Sequence, residues 1–165
     1  LIASGRSAIE AAAAEATRLG WEPHVIEVNA TGEARLVGTQ HGELVMRADR
    51  RTAFISGGEL TVAVSGHGTG GPNREYALAL ALALNSAPGI TALAADTDGI
   101  DGTGDAAGAF VDSSTLARTK ALNLDPQAAL EANDSGAFFT ALGDAFVTGP
   151  TGTNVNDLRV ILVDP

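Results

Sequence analysis

Two stretches of this chain gather residues that can do chemistry. Ser65-Gly-His-Gly-Thr-Gly-Gly-Pro-Asn-Arg-Glu75 sets four glycines in the six residues from Gly66 to Gly71 beside an arginine and a carboxylate, and Asp96-Thr-Asp-Gly-Ile-Asp-Gly102 places three carboxylates within six residues. Each follows an apolar run that reads as a strand, Leu60 to Val64 in one case and Ile90 to Ala95 in the other. Open α/β sheets hold their ligands outside the ends of such strands. The pattern points to a phosphorylated or carboxylated small molecule, with a metal.

The glycine stretch admits three readings. Gly66-x-Gly68-x-x-Gly71 satisfies the dinucleotide fingerprint, since it lies between an expected strand and an expected helix and Asp96 closes the next strand. Against it, Pro72, Asn73, Arg74 and Glu75 crowd a helix start where dinucleotide-binding helices carry small apolar residues. As an anion site, Gly66, Gly68, Gly70 and Gly71 let backbone N–H groups approach a phosphate or carboxylate, and Arg74 supplies a planar fork. The helix N-terminus adds a field of about half a charge. As a plain turn, the glycines sacrifice backbone entropy with no ligand to show for it.

The carboxylates do not make an EF-hand, which needs an oxygen ligand at Ile100, a glycine at Asp101 and a carboxylate at Ala107. Asx turns are one explanation of the cluster. The sharper one is that anions crowded at a strand end repel unless a cation or donor sits among them. On that reading the cluster holds magnesium with a nucleotide, or contacts a substrate hydroxyl. A third polar stretch, Gly149 to Asp157, lacks the Gly-Lys-Ser/Thr ending of a Walker loop but offers hydroxyl and amide donors, Asn154 among them. Asn133-Asp134-Ser135 reads as a helix cap.

The elements that must position these residues alternate. An alanine-rich helix is expected from Arg6 to Leu19, with Ser4 and Ser7 both able to cap it, Ser7 and Glu10 fitting a capping box and Gly20 closing it, followed by a strand at His24 to Val28 and a weaker, glycine-interrupted helix from Ala30 to Ala48. Thr52 to Ser56 and Leu60 to Val64 read as two strands joined by a tight reversal or a bulge. A helix apolar all round, hence buried, follows from Asn73 to Asn85. Ile90 to Ala95 and Gly108 to Val111 are strands, Asp112, Asp125-Pro126 and Asn133 to Ser135 start three helices, and Ala145 to Thr148 and Leu158 to Val163 are strands. Such alternation argues for a layered α/β/α domain with a mixed, mainly parallel sheet.

Composition narrows the partners. Ten Lys plus Arg against twenty Asp plus Glu give a formal charge of −10, which repels nucleic acid. Zero cysteines exclude disulfides and thiolate sites and suit a cytoplasmic location; with three scattered histidines a zinc site is improbable, so any metal is oxygen-liganded. The apolar runs are too short for a membrane span, and no leader or lipidation motif is seen. Leu1 is not a start methionine, and Leu1 to Ser4 resembles the end of a buried strand, which points to a missing upstream part.

Five blocks together resemble the MOFRL domain, the C-terminal half of glycerate 2-kinases, many formerly labelled hydroxypyruvate reductases: Gly57 to Val62, Gly70 to Leu78, Ala94 to Gly102, Asn133 to Ser135 and Thr148 to Arg159. Many relatives carry an Arg at the position of Pro72 and a Gln at that of Arg74. The resemblance implies phosphorylation of D-glycerate to 2-phosphoglycerate, with ATP as co-substrate and magnesium, in a cleft against a larger N-terminal domain that this chain lacks, and hence an isolated chain without turnover. In that picture Arg74, Asp98 and Asp101 are catalytic, Gly66, Gly68, Gly70, Gly71, Asn73, Glu75 and Asn154 bind substrate or phosphate, and Asp96 and Asp98 hold the metal. The alternatives are an NAD(P)-dependent hydroxypyruvate reductase and a non-catalytic docking or regulatory domain; homo-oligomerisation is compatible with either.

Overall fold

The computed structural model describes residues 4–165, so the strand end expected at Leu1 to Ala3 lies outside the described residues. Helix α1 (Gly5–Arg18) starts one turn before the expected capping box: the Ser4 N–H donates to Ser7 Oγ at 2.8 Å and the Ser7 N–H to Ser4 Oγ at 3.2 Å. The remaining helices are α2 (Ala34–Val45), α3 (Pro72–Leu84), α4 (Thr115–Ala121), α5 (Pro126–Glu131) and α6 (Ser135–Leu142). Six strands, β1 (Glu22–Ala30), β2 (Thr52–Gly58), β3 (Ile90–Asp96), β4 (Gly108–Asp112), β5 (Ala145–Phe146) and β6 (Asp157–Val163), form one sheet in the order β1-β2-β6-β3-β4-β5.

The layered α/β architecture and the mixed sheet are as expected. Its mainly parallel character is not: only β1 and β2 pair in parallel, and the other four pairings are antiparallel. The physical reason is that β6, last in the chain, inserts antiparallel between β2 and β3, and β3 turns back onto β4 through a loop instead of a helical crossover. Insertion of β6 also removes the hairpin expected between Thr52–Ser56 and Leu60–Val64. β2 already has neighbours on both edges, runs on through Gly57 and Gly58, and leaves the second segment as a connection with one bridge, Thr61 to Glu33.

Side chains alternate along β2 between the two layers. Ala53 and Ile55 pack with Ile9 and Ala16 of α1 on one face, while Phe54 joins the larger core formed by α2, α3 and α6 on the other. α3 lies at the centre of that core: from Asn73 to Ala81 every residue is buried, which is why its sequence shows no polar face. α2 crosses it closely because α2 carries Gly38 and Gly42. A Cβ on Gly38 would run into the backbone of Tyr76, and one on Gly42 would run into the Ala83 side chain. Those glycines weakened the helical signal of α2 in sequence and are what let it approach α3.

In an exposed helix, glycine to alanine gains about 1 kcal/mol. Here Gly38→Ala is expected to reverse that sign and cost about 1 to 3 kcal/mol through overpacking, read as a lowered urea midpoint at unchanged slope.

Candidate functional site

β2 ends, β3 ends and β6 begins at one edge of the sheet, where Gly58 and Asp96 both pair with Asp157. The two acidic or glycine-rich stretches and the stretch before β6 are therefore delivered to the same place, and the turn between α5 and α6 joins them. A cavity of about 350 Å³ opens there, lined by Val62, Val64, Pro72, Glu75, Thr103 and Asn133 among others.

The glycine stretch lies flush against the α5–α6 turn. Ser65 and Gly66 donate their N–H groups to Asn133 Oδ1 at 2.7 and 2.8 Å, Gly68 donates to the Ala132 carbonyl at 3.0 Å, and Thr69 donates to Asp134 Oδ1 at 2.8 Å. The Gly70 N–H meets Thr103 Oγ1 at 3.0 Å. A Cβ at Gly66 or Gly68 would overlap the backbone of Ala132 or Asp134. These glycines serve a close approach to the protein's own chain, which corrects the expectation that the N–H groups of Gly66, Gly68 and Gly70 are directed at a ligand. Gly71 packs likewise against Asp101.

The anion expected at the N-terminus of α3 is the chain's own. Asp101 accepts the Asn73 N–H at 2.8 Å on one carboxylate oxygen and the Arg74 N–H at 2.9 Å on the other. Arg74 folds back so that its Nε donates to the same carboxylate at 3.0 Å and its Nη2 donates to the carbonyls of Asp101 and Thr103. With Asp101 1% and Arg74 3% exposed, the reading of Arg74 as a free fork and of Asp101 as a hydroxyl contact is corrected: both close the helix start.

Asn73 and Glu75 are buried as well, and each links elements. Asn73 Nδ2 donates to Asp157 Oδ1 at 2.8 Å, and Asp157 is ion-paired with the fully buried Arg159. Arg159 lies over the Tyr76 ring, and Tyr76 OH is hydrogen-bonded to His41 Nδ1 at 2.8 Å. Glu75 pairs with Arg35 at 2.9 Å and accepts from Asn133 Nδ2 at 2.9 Å.

Of the site residues expected from sequence, the side chains that remain open are those of Asp96, Asp98 and Asn154. Asp96 and Asp98 are half-buried and Asn154 is exposed. Asp96 accepts the Asp98 N–H at 2.9 Å, Asp98 accepts the Ile100 N–H at 2.8 Å, and Asn154 Nδ2 lies 3.4 Å from Asp98 Oδ2, so Asx turns and an outward-facing acidic edge coexist. Burial pushes the Asp96 carboxyl above its ordinary range, and the charges of Asp98 and Asp101 add to this against the Asp98 N–H. Two carboxylates in this state suit a hard cation held partly by a ligand's oxygens, since magnesium commonly takes one or two carboxylates together with phosphates and water. Among the described residues no group of three or more His, Asp or Glu forms a complete cage.

Sequence reasoning missed Arg35, Thr103 and the loop-holding role of Asn133. Arg35 carried no signal, and Thr103 was only a neighbour of the acidic turn. Asn133 sits in the left-handed region at φ 54°, which asparagine tolerates, and it is not the helix cap it was read as: Asp134 holds the N-cap position of α6, without a side-chain cap bond, while the Asn133 amide turns to the glycine stretch.

A mixed α/β domain that gathers its polar loops at one sheet edge defines the class. The chain belongs to the MOFRL family, whose sequence model matches residues 52–157. It is 45% identical, over 99% of its length and 39% of the relative's, to a protein of Agrobacterium vitis named putative hydroxypyruvate reductase. It is 38% identical, over 99% of its length and 41% of the relative's, to the D-glycerate 2-kinase of Thermotoga maritima. The crystal structure of glycerate kinase from the latter organism superposes with a TM-score of 0.93 at 37% identity, covering 97% of this chain and 40% of that one. The chain thus spans well under half the length of these relatives.

Two buried groups give the polar layer a testable pH signature. Burial raises the Asp157 carboxyl from 3.8 to about 6 despite Arg159, so its contribution to stability is full below pH 3.8 and is lost as pH rises through about 6. Burial, with Arg159, lowers His41 from 6.5 to about 4, so its contribution is full above pH 6.5 and is lost as pH falls through about 4. Each is worth about 3 kcal/mol, with opposite slopes that offset one another. From pH 4 to 6.5, urea unfolding is expected to show Asp157→Asn rising relative to wild type by about 3 kcal/mol and His41→Gln falling by about as much.

Proposed function

We propose that this chain is the C-terminal domain of a glycerate 2-kinase, forming one wall of a cleft in which the γ-phosphate of ATP passes to D-glycerate to give 2-phosphoglycerate. The larger N-terminal domain of a longer, cytoplasmic polypeptide supplies the other wall. The observation that carries this reading is the convergence of the glycine stretch, the carboxylate turn and the Asn154 stretch at one end of the sheet, with a cavity beside them that the glycine stretch shares with Gly102 and Thr103. It is supported by relatives named glycerate 2-kinase.

Phosphoryl transfer depends on positioning and charge neutralisation more than on covalent chemistry. Magnesium, bound with the nucleotide, supplies charge neutralisation at the phosphates. Asp96 and Asp98 hold that ion, Asp98 with Asn154 also orients the substrate hydroxyl, and the wall from Val62 to Thr103 excludes water. Arg74 and Arg159 act from beneath by fixing that wall, because their guanidinium groups are turned inward.

The reductase reading is disfavoured by the same geometry. A dinucleotide's pyrophosphate needs an open helix N-terminus, and here the Asp101 carboxylate fills that position on α3. The full-length polypeptide is expected to form ADP from ATP and D-glycerate and to stop with EDTA, whereas the isolated chain shows no turnover. Hydroxypyruvate-dependent NADH oxidation without ATP consumption would overturn the proposal. Asp98→Ala in the full-length polypeptide is expected to lower kcat tenfold or more, about 1.4 kcal/mol of transition-state stabilisation, at unchanged stability. A merely docking domain would leave kcat untouched.

A further inference from the structure

We propose that Arg35 and Asn133, acting through Glu75, are positioning residues that hold the Ser65–Gly66 segment, and through it the flanking Val64 and Gly68 that line the cavity, in place. This inference rests on the kinase reading for its kinetic consequence, but its geometry stands on its own.

Glu75 is 2% exposed and lies at the floor of the cavity, on the first turn of α3. A buried carboxylate is costly unless its oxygens are engaged. One oxygen faces Arg35 Nε at 2.9 Å, and the other accepts from Asn133 Nδ2 at 2.9 Å. Arg35 comes from the first turn of α2, and its Nη2 also reaches the Leu130 carbonyl at the end of α5, at 3.2 Å. It therefore fixes both the carboxylate and the helix that leads into Asn133.

Asn133 uses its whole amide group. Its Nδ2 donates to Glu75 and, at 3.2 Å, to the Ala63 carbonyl; its Oδ1 accepts the N–H groups of Ser65 and Gly66. Because Glu75 can only accept, it dictates which end of the Asn133 amide faces inward. The oxygen is left for the two loop N–H groups, and a flipped amide would set an NH2 against them. The orientation of the loop is thus set from α2 by a one-way chain of donors and acceptors. A stabilising role alone would be filled as well by apolar side chains, which carry no such direction.

The test uses Asn133→Gly, which removes the amide and suits the left-handed backbone at that position. In the isolated chain, hydrogen exchange at the Ser65 and Gly66 N–H groups is expected to quicken tenfold or more relative to the global unfolding rate. In the full-length polypeptide the KM for one of ATP and D-glycerate is expected to rise tenfold or more, with kcat and the other KM within twofold. Should that variant fail to fold, Arg35→Met is expected to raise the same KM threefold or more, and Arg35→Lys, which keeps a cation beside Glu75, to restore it to within twofold. Unchanged exchange, or fast exchange with every kinetic constant at its wild-type value, would overturn the proposal. A wild-type full-length polypeptide that forms no ADP would instead defeat the kinase reading, and the clamp would then stand or fall on the exchange rates.

Discussion

The Asp101 carboxylate is the joint on which the loop edge depends. By accepting the Asn73 and Arg74 N–H groups it satisfies two of the donors that every helix leaves open at its start, and by pairing with the Arg74 guanidinium it is neutralised in a place from which water is excluded. Because Asp101 belongs to the turn after β3 and Arg74 to α3, one ion pair locks the carboxylate turn to the central helix. The Arg74 hydrogen bonds to the Asp101 and Thr103 carbonyls, together with those between Gly70 and Thr103, then seat the glycine stretch on the same turn.

Beneath this joint runs a buried polar layer unusual for the interior of a small α/β domain. Asn73 bridges Asp101 and Asp157, Asp157 pairs with Arg159, and Arg159 lies over Tyr76, which meets His41. These groups engage one another, with Asn73 Oδ1 and Arg159 Nε left without a partner, and they tie β6, α3 and α2 together. Above this layer, Asp96 and Asp98 are half-buried and Asn154 is exposed.

Much of this was legible in the sequence. The all-round apolar pattern of Tyr76 to Leu84, Asp125 before Pro126, and the apolar run ending at Asp96 set α3, α5 and β3 where the structure has them. The strand pairing was not legible, because the pairing partner of a buried strand such as β6 is chosen by tertiary contacts that leave no periodic trace. At the site, the right segments stood out but their roles did not. A glycine that approaches a ligand and one that approaches the backbone of Ala132 look alike in sequence. An aspartate that caps a helix from a loop 27 residues away likewise looks like one that meets a substrate.

The most direct measurement is therefore of Asp101→Asn, comparing unfolding in urea with hydrogen exchange at the Asn73 and Arg74 N–H groups. If Asp101 is the anion of the α3 N-terminus, removing its charge strands a buried guanidinium, lowers stability by about 3 to 5 kcal/mol and exposes those N–H groups to exchange. Stability within about 1 kcal/mol of wild type, with both N–H groups still protected and only turnover of the full-length polypeptide lost, would contradict this and return Asp101 to the substrate.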